Sequence, residues 1–453
     1  MAALGTTADL AVTAARVITP DGERGCTILI RDGLIVELAP RAPSAVTEVV
    51  IPDDRVVLPG LVDSHVHVNE PGRTNWEGFE TATAAAAAGG VTTIVDMPLN
   101  SIPATVDVAA LGLKRAATGG KLTVDVAFWG GAVPGNLGQL RPLHDAGAVG
   151  FKCFLLPSGV PEFAALDAGG VRAAMERIAQ FDGLLIAHAE DAAVIDAAPA
   201  AHGRHYDDFV ASRPPDAEVS AIQALLAGTK GTGCRTHVVH VSSAASLPLI
   251  RAAKAAGLPV TVESCPHYLT LRAEEVPDGA TQFKCCPPIR DEANREQLWA
   301  GLVDGTIDLI VSDHSPSTVD AKCLDTGDFG QAWGGIASVQ LGLPVIWTEA
   351  AQRDIPLTDV ARWMATAPAA LTGLTDRGSI APGQQADLCV FAPDETFVVD
   401  LARLLHRNPI SPYAGRELRG VVEQTWLHGV PIRDGERRGR LVRPRQRRGL
   451  RDA

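Results

Sequence analysis

Residues 56–67 read VVLPGLVDSHVH, a near-continuous apolar run that ends on two histidines, His65 and His67. On a strand the i, i+2 spacing sends both imidazoles to one side, and a run apolar on both faces suits a strand buried inside a parallel sheet. Seven similar runs follow toward the C-terminus: GVTTIVDMP (90–98), LTVDVAFWG (122–130), AVGFKCFLL (148–156), GLLIAHAE (183–190), THVVHVSS (236–243), PVTVESCPHY (259–268) and TIDLIVSDHSP (306–316). Stretches of helical character separate them, among them FETATAAAAAGG (79–90), VRAAMERIAQF (171–181), AASLPLIRAAKAAG (244–257) and ANREQLWAGLVDG (293–305). Several close on glycine, as a helix C-cap does. Eight alternations predict an α/β fold, a parallel (β/α)8 TIM barrel over residues 58–380. No self-similar unit of about 20–50 residues argues for a solenoid.

On either side of this block the texture changes to short alternating strands. DLAVTAARVIT (9–19) and TILIRDGLIVELA (27–39) alternate around Asp-Gly turns at Asp21 and Asp32, and the pattern returns in ADLCVFAPDETFVVD (386–400) and VVEQTWLHGVPIRDGE (421–436). The expectation is a small β-sandwich domain assembled from residues 1–57 and 381–436. Residues 437–453 are basic and poor in apolar side chains and are expected to form a mobile tail.

The whole chain, 453 residues with 46% hydrophobic and 21% charged side chains, has the composition of a packed globular enzyme. A formal net charge of -13 argues against nucleic acid as a partner. No run of about 20 apolar residues predicts a membrane span, and the first residues lack the basic-then-apolar layout of a secretion signal. The eight cysteines form no CxxC pair. A reduced, cytoplasmic protein is expected.

Chemistry gathers at the ends of the apolar runs, which share one face of a barrel. His65 and His67 offer two imidazoles with a fixed bite for a divalent metal. His188 and His240 each end another run, where a buried ring needs a partner. Asp313 follows the apolar run Leu309–Val311 and Ser312, and a buried carboxylate without a counterion is costly. Lys152 lies inside AVGFKCFLL, where a buried ammonium must be paired or neutralised. Reaction of its amine with carbon dioxide would turn it into an N6-carboxylysine, an anionic ligand able to bridge two metals.

With these six residues in this order, the chain resembles the binuclear amidohydrolase superfamily, in its cyclic-amidase branch of dihydroorotases, hydantoinases and allantoinases. The resemblance spans nearly the whole chain through FKCFL, SCPHYLTL, KCCPPIR, SDHSP, WGGI and NPISPYAG, and residues 69–105 look like the allantoinase version of the segment after the first metal pair. It implies that His65 and His67 bind one divalent metal and His188 and His240 a second, with carboxylated Lys152 bridging them and Asp313 completing the first site. It also implies ring opening of allantoin to allantoate, in purine (ureide) catabolism, by a metal-bridging hydroxide with Asp313 as general base and acid. Zinc is the default metal, with cobalt, nickel, manganese and iron compatible with the donors. Relatives are usually dimers or tetramers, so a homo-oligomer, with a homotetramer as the working expectation, and a small-molecule substrate are expected.

The chain departs from its neighbours at informative places. A dihydroorotase carries Arg two residues after the HxH pair, where Asn69 stands here. A hydantoinase or dihydropyrimidinase, the nearest alternative, places a Tyr beyond the lysine as oxyanion donor, where this chain reads LLPSG. Ser158 is the candidate replacement, or the metal polarises alone. Asn100 and Cys286 are candidate substrate contacts, and His267 is a candidate to orient a ligand or the solvent. A non-catalytic scaffold of the same fold is expected to lack ligands, and none is missing.

Overall fold

The computed structural model describes residues 8–43 and 46–444 and has an α/β fold. Parallel strands form one layer: β6 (Leu61–Val66), β7 (Val91–Asp96) and β8 (Asp125–Phe128) in one hydrogen-bonded run, and β9 (Gly130–Gly131), β10 (Phe151–Phe154), β11 (Leu184–His188), β12 (Arg235–Val238), β13 (Val260–Ser264) and β14 (Leu309–Ile310) in another. Nearly every residue of these strands is buried, which is why they read as unbroken apolar runs rather than alternations. A few hydrogen bonds span the two breaks. Val149 N donates to Phe128 O (2.9 Å) and Gly130 N to Gly150 O (2.9 Å), while His67 N donates to His314 O (2.8 Å). Buried Asp63 adds to the second link by accepting from Ser312 N (3.2 Å).

Helices cover these strands, and their ends follow local chemistry. Asp107, Asp167 and Asp291 cap three of them by accepting from the amides of Ala110, Gly170 and Asn294 at 2.7–2.8 Å. The Ala-rich helix Phe79–Ala88 lies close to its neighbours because its inward face is small. It ends at Gly89, where a Cβ would come 2.6 Å from Val339 O, so only glycine fits.

The flanking segments form a second, eight-stranded sheet. β1 (Leu10–Thr19), β2 (Gly22–Arg31), β3 (Leu34–Ala39), β4 (Thr47–Val50) and β5 (Val56–Pro59) come from the N-terminal part, and β15 (Leu388–Val398), β16 (Glu417–Leu427) and β17 (Val430–Pro431) from the C-terminal part. The order is β17-β16-β15-β5-β1-β2-β3, with β4 paired to β1. β5 is the seam, antiparallel to β15 and parallel to β1. Asp32 and Gly33, both at positive φ (52° and 76°), make the tight turn of the β2–β3 hairpin.

A buried ion pair ties the C-terminal segments to the parallel strands. Asp125, first residue of β8, accepts from Arg377 Nη1 (2.8 Å) and His428 Nε2 (3.0 Å). Burial alone would raise its carboxyl, but His428 and Arg377 hold it below the usual carboxylate range. Arg377→Ala would leave that carboxylate without a main partner and is expected to cost about 3–5 kcal/mol of stability. Urea unfolding checks this, and an unchanged midpoint would contradict it.

The expectation of a mobile basic tail needs correction for its first part. Residues 437–444 lie along β8: Val126 N donates to Arg440 O (3.0 Å), Val442 N to Val126 O (2.9 Å), Gly439 N to Leu122 O (2.9 Å) and Arg440 N to Asp125 Oδ1 (3.0 Å). The physical reason is that β8 offers backbone groups that charge and composition do not reveal, and the arm pairs with them. Residues 445–453 lie outside the described residues. Among the described residues no helix is long and apolar enough to cross a membrane.

Candidate metal centre and active site

The strand ends bring the predicted ligands together. His65 comes from the end of β6 and His67 from just beyond it, with ring centroids 5.4 Å apart. Asp313, three residues past β14, places Oδ1 3.1 Å from His65 Nε2 and 3.4 Å from His67 Nε2. One ligand atom from each of these three lies within 4.8 Å of the others, and all three residues are buried. On the other side, His240 stands 5.5 Å from His65 and 4.6 Å from His188, centroid to centroid. His188, last residue of β11, stacks on Phe154 of β10 at 4.7 Å.

Lys152 is 1% exposed, on the strand between these groups. Burial lowers its amine to about 8, against the opposing pull of Asp313 and Glu263. Burial, with the Lys152 ammonium among the neighbouring charges, also pushes all four imidazoles down. Four neutral imidazoles, a carboxylate and an amine that gives up its proton readily are a donor set suited to divalent cations. Moreover, His65 Nε2 and His240 Nδ1 are buried with no hydrogen-bond partner among the described residues, which a ligated cation would explain.

Two glutamates that the sequence reading passed over set the orientation of these rings. Glu263, buried in β13, accepts from His65 Nδ1 (2.5 Å), His237 Nε2 (2.9 Å) and the His240 amide (3.2 Å). With the His65 Nδ1 proton committed there, the Nε2 lone pair faces Asp313. Glu190 accepts from His188 Nε2 (2.7 Å) and is itself held by Arg213 (3.0 Å), which leaves His188 Nδ1 as the free lone pair. The signal was present in VTVES and LLIAHAE, since a carboxylate inside an apolar run needs a donor as much as Lys152 needs a neutraliser. Glu263→Gln is expected to weaken metal binding about 10–100-fold. Competition with a chromophoric chelator measures it, and unchanged affinity would remove Glu263 from this role.

Backbone strain marks the same place. Asn100, His240 and Asp313 hold φ at 67°, 39° and 44°, a left-handed region that costs a non-glycine residue roughly 1–3 kcal/mol. Such strain persists where surrounding contacts aim a side chain. His314, next to Asp313, does not join the cluster; its Nε2 donates to Glu77 (3.2 Å) and its Nδ1 accepts from Ser338 N (3.1 Å).

The candidate substrate contacts fall differently. Asn100 is buried beside the cluster, its Nδ2 3.5 Å from His67 Nδ1 and its Oδ1 without a partner among the described residues. Cys286 is partly exposed, and its sulfur would lie 3.4 Å from a Cβ placed on Gly334 of the WGGI segment. The Ser158 hydroxyl donates to Phe163 O (2.6 Å) within its own loop. His267 is fully buried, and neither ring nitrogen has a partner among the described residues.

Comparison with known proteins gives the chain's relatives. Residues 56–432 match the model of the amidohydrolase family. The chain is 56% identical to a Streptomyces avermitilis protein named allantoinase, over 96% of this chain and 98% of that one. It is 47% identical to an Aquarana catesbeiana protein named allantoinase, mitochondrial, over 79% of this chain and 75% of that one. Among solved structures, the L-hydantoinase (dihydropyrimidinase) from Arthrobacter aurescens superposes with a TM-score of 0.89 at 31% identity, covering 96% of this chain and all (100%) of that one.

Proposed function

We propose that this chain, which belongs to the amidohydrolase family, is a hydrolase that opens the hydantoin ring of allantoin to give allantoate. The relationship to proteins named allantoinase across nearly the full chain carries the substrate. Asn69 favours the same reading, because a buried amide replaces the arginine that would hold a dihydroorotase's carboxylate substrate. The two runs of parallel strands are read as one (β/α)8 barrel, with the eight-stranded sheet folding into a β-sandwich beside it.

His65, His67 and Asp313 would hold one divalent cation, His188 and His240 a second, and Lys152, as its N6-carboxylate, would lie between them. When bound, such cations supply Lewis acidity for the ring carbonyl and a solvent nucleophile near neutral pH. Zinc suits the nitrogen and oxygen donors. Asp313 then takes the proton of the attacking solvent as its oxygen bonds to the ring carbonyl carbon, and returns it to the ring nitrogen as the C–N bond breaks. One water is consumed, giving a carboxylate, a freed ureido nitrogen and one proton released to solvent. Asn100 steadies His67, while Glu263 and Glu190 keep the lone pairs of His65 and His188 directed inward.

The test is hydrolysis of allantoin, hydantoin and dihydrouracil by the same metal-replete, bicarbonate-supplemented preparation. Turnover of allantoin well above the other two is expected. Preference for hydantoin or dihydrouracil would overturn the substrate and retain the hydrolase.

A further inference from the structure

Beside the candidate ligands lies a second group of donors. Cys265 precedes the short helix Pro266–Thr270, and His267 is that helix's second residue. Ligand atoms of Cys265, His267 and Asp313 lie within 4.8 Å of one another, and all three residues are buried. Both His267 nitrogens are without a partner among the described residues, a costly state for a fully buried imidazole unless something else engages it. The ring packs edge-on against Tyr268 at 4.2 Å, and Tyr268 spends its hydroxyl on Pro287 O (2.7 Å). Thiol, imidazole and carboxylate together form a softer donor set than the His-rich centre next door.

We propose that Cys265, His267 and Asp313 form an inhibitory site, sharing Asp313 with the candidate centre, for a thiophilic divalent cation such as excess zinc or cadmium. The cation forms a bond to the Cys265 sulfur as the thiol proton leaves to solvent, takes a lone pair from His267, and engages the Asp313 carboxylate. Inhibition rests on the reading of Asp313 as the base, because a carboxylate held by this cation no longer accepts the proton of the attacking solvent. Cys265 itself has no part in turnover, so its loss removes the inhibition without removing the activity.

Titrating the metal-replete protein with cadmium tests the site, with ultraviolet absorbance reporting the thiolate-to-metal charge transfer and allantoin turnover followed on the same samples. In the unaltered protein the band is expected to grow as turnover falls. Cys265→Ala, with Cys265→Ser as the alternative should the alanine variant fail to fold, is expected to lose the band and to need about 100-fold more cadmium for equal inhibition, the scale of one lost zinc-type ligand. A variant as sensitive as the parent, a parent without the band, or a band that grows while turnover holds would each overturn the proposal. The band and the bound-cadmium stoichiometry do not depend on allantoin as substrate, so a failure of the functional reading would be recognised separately.

Discussion

Asp313→Asn is expected to yield a folded protein whose turnover of allantoin at saturating metal falls roughly 10²–10⁴-fold, the usual worth of a positioned acid–base group. The amide matches the carboxylate in shape, so packing against His65 and His67 survives. It cannot accept the proton from the attacking solvent, and the step that delivers it to the ring nitrogen fails with it. The left-handed backbone at Asp313 suits an asparagine as well as an aspartate, which keeps local strain from confusing the result. Metal content must be measured alongside kcat, since the variant also loses a ligand charge. Parent-like turnover at normal metal content would end the assignment of Asp313 as base.

Lys152→Ala is expected to cost more. The substitution removes the amine on β10 that would become an anionic bridge and opens space beside the candidate ligands. A loss of several kcal/mol in transition-state stabilisation corresponds to a fall on the order of 10³-fold or more. Acetate or formate, small enough to enter that space, is expected to restore part of the activity by supplying a free carboxylate there. Labelled bicarbonate gives an independent readout: the parent should show a carbamate carbon resonance that the alanine variant lacks. Full activity in Lys152→Ala, or a parent without the carbamate signal, would contradict the bridging role.

The candidate ligands were legible because each ends or interrupts an apolar run, where burial makes an ionisable side chain conspicuous. The chemistry of a buried amine, here drawn down to about 8, follows from the same logic. Glu263 and Glu190 lie in runs just as apolar, yet their partners come from other strands: Glu263 serves His65, 198 residues away in sequence. Their role became visible only through the packing of β13 against its neighbours. Ser158 was singled out from its place beyond the lysine alone. The hydrogen bond of its hydroxyl to Phe163 O depends on the course of a short loop that spacing does not reveal. The basic arm misled through composition, since arginines that suggest a solvated tail do not reveal that their backbone pairs with Val126. Both flanking β segments were readable from their alternation, whereas the seam made by β5 was not, because VVLP runs directly into the strand that carries His65.

The most direct test of the central claim is stepwise reconstitution of metal-stripped protein, with bound metal, carbamate signal and allantoin turnover followed together. Turnover is expected to be absent in the stripped protein and to return only when both divalent metal and bicarbonate are supplied, reaching its plateau at two metals per chain. Undiminished allantoin hydrolysis by protein free of metal, or full metal loading with no turnover of allantoin, would contradict it.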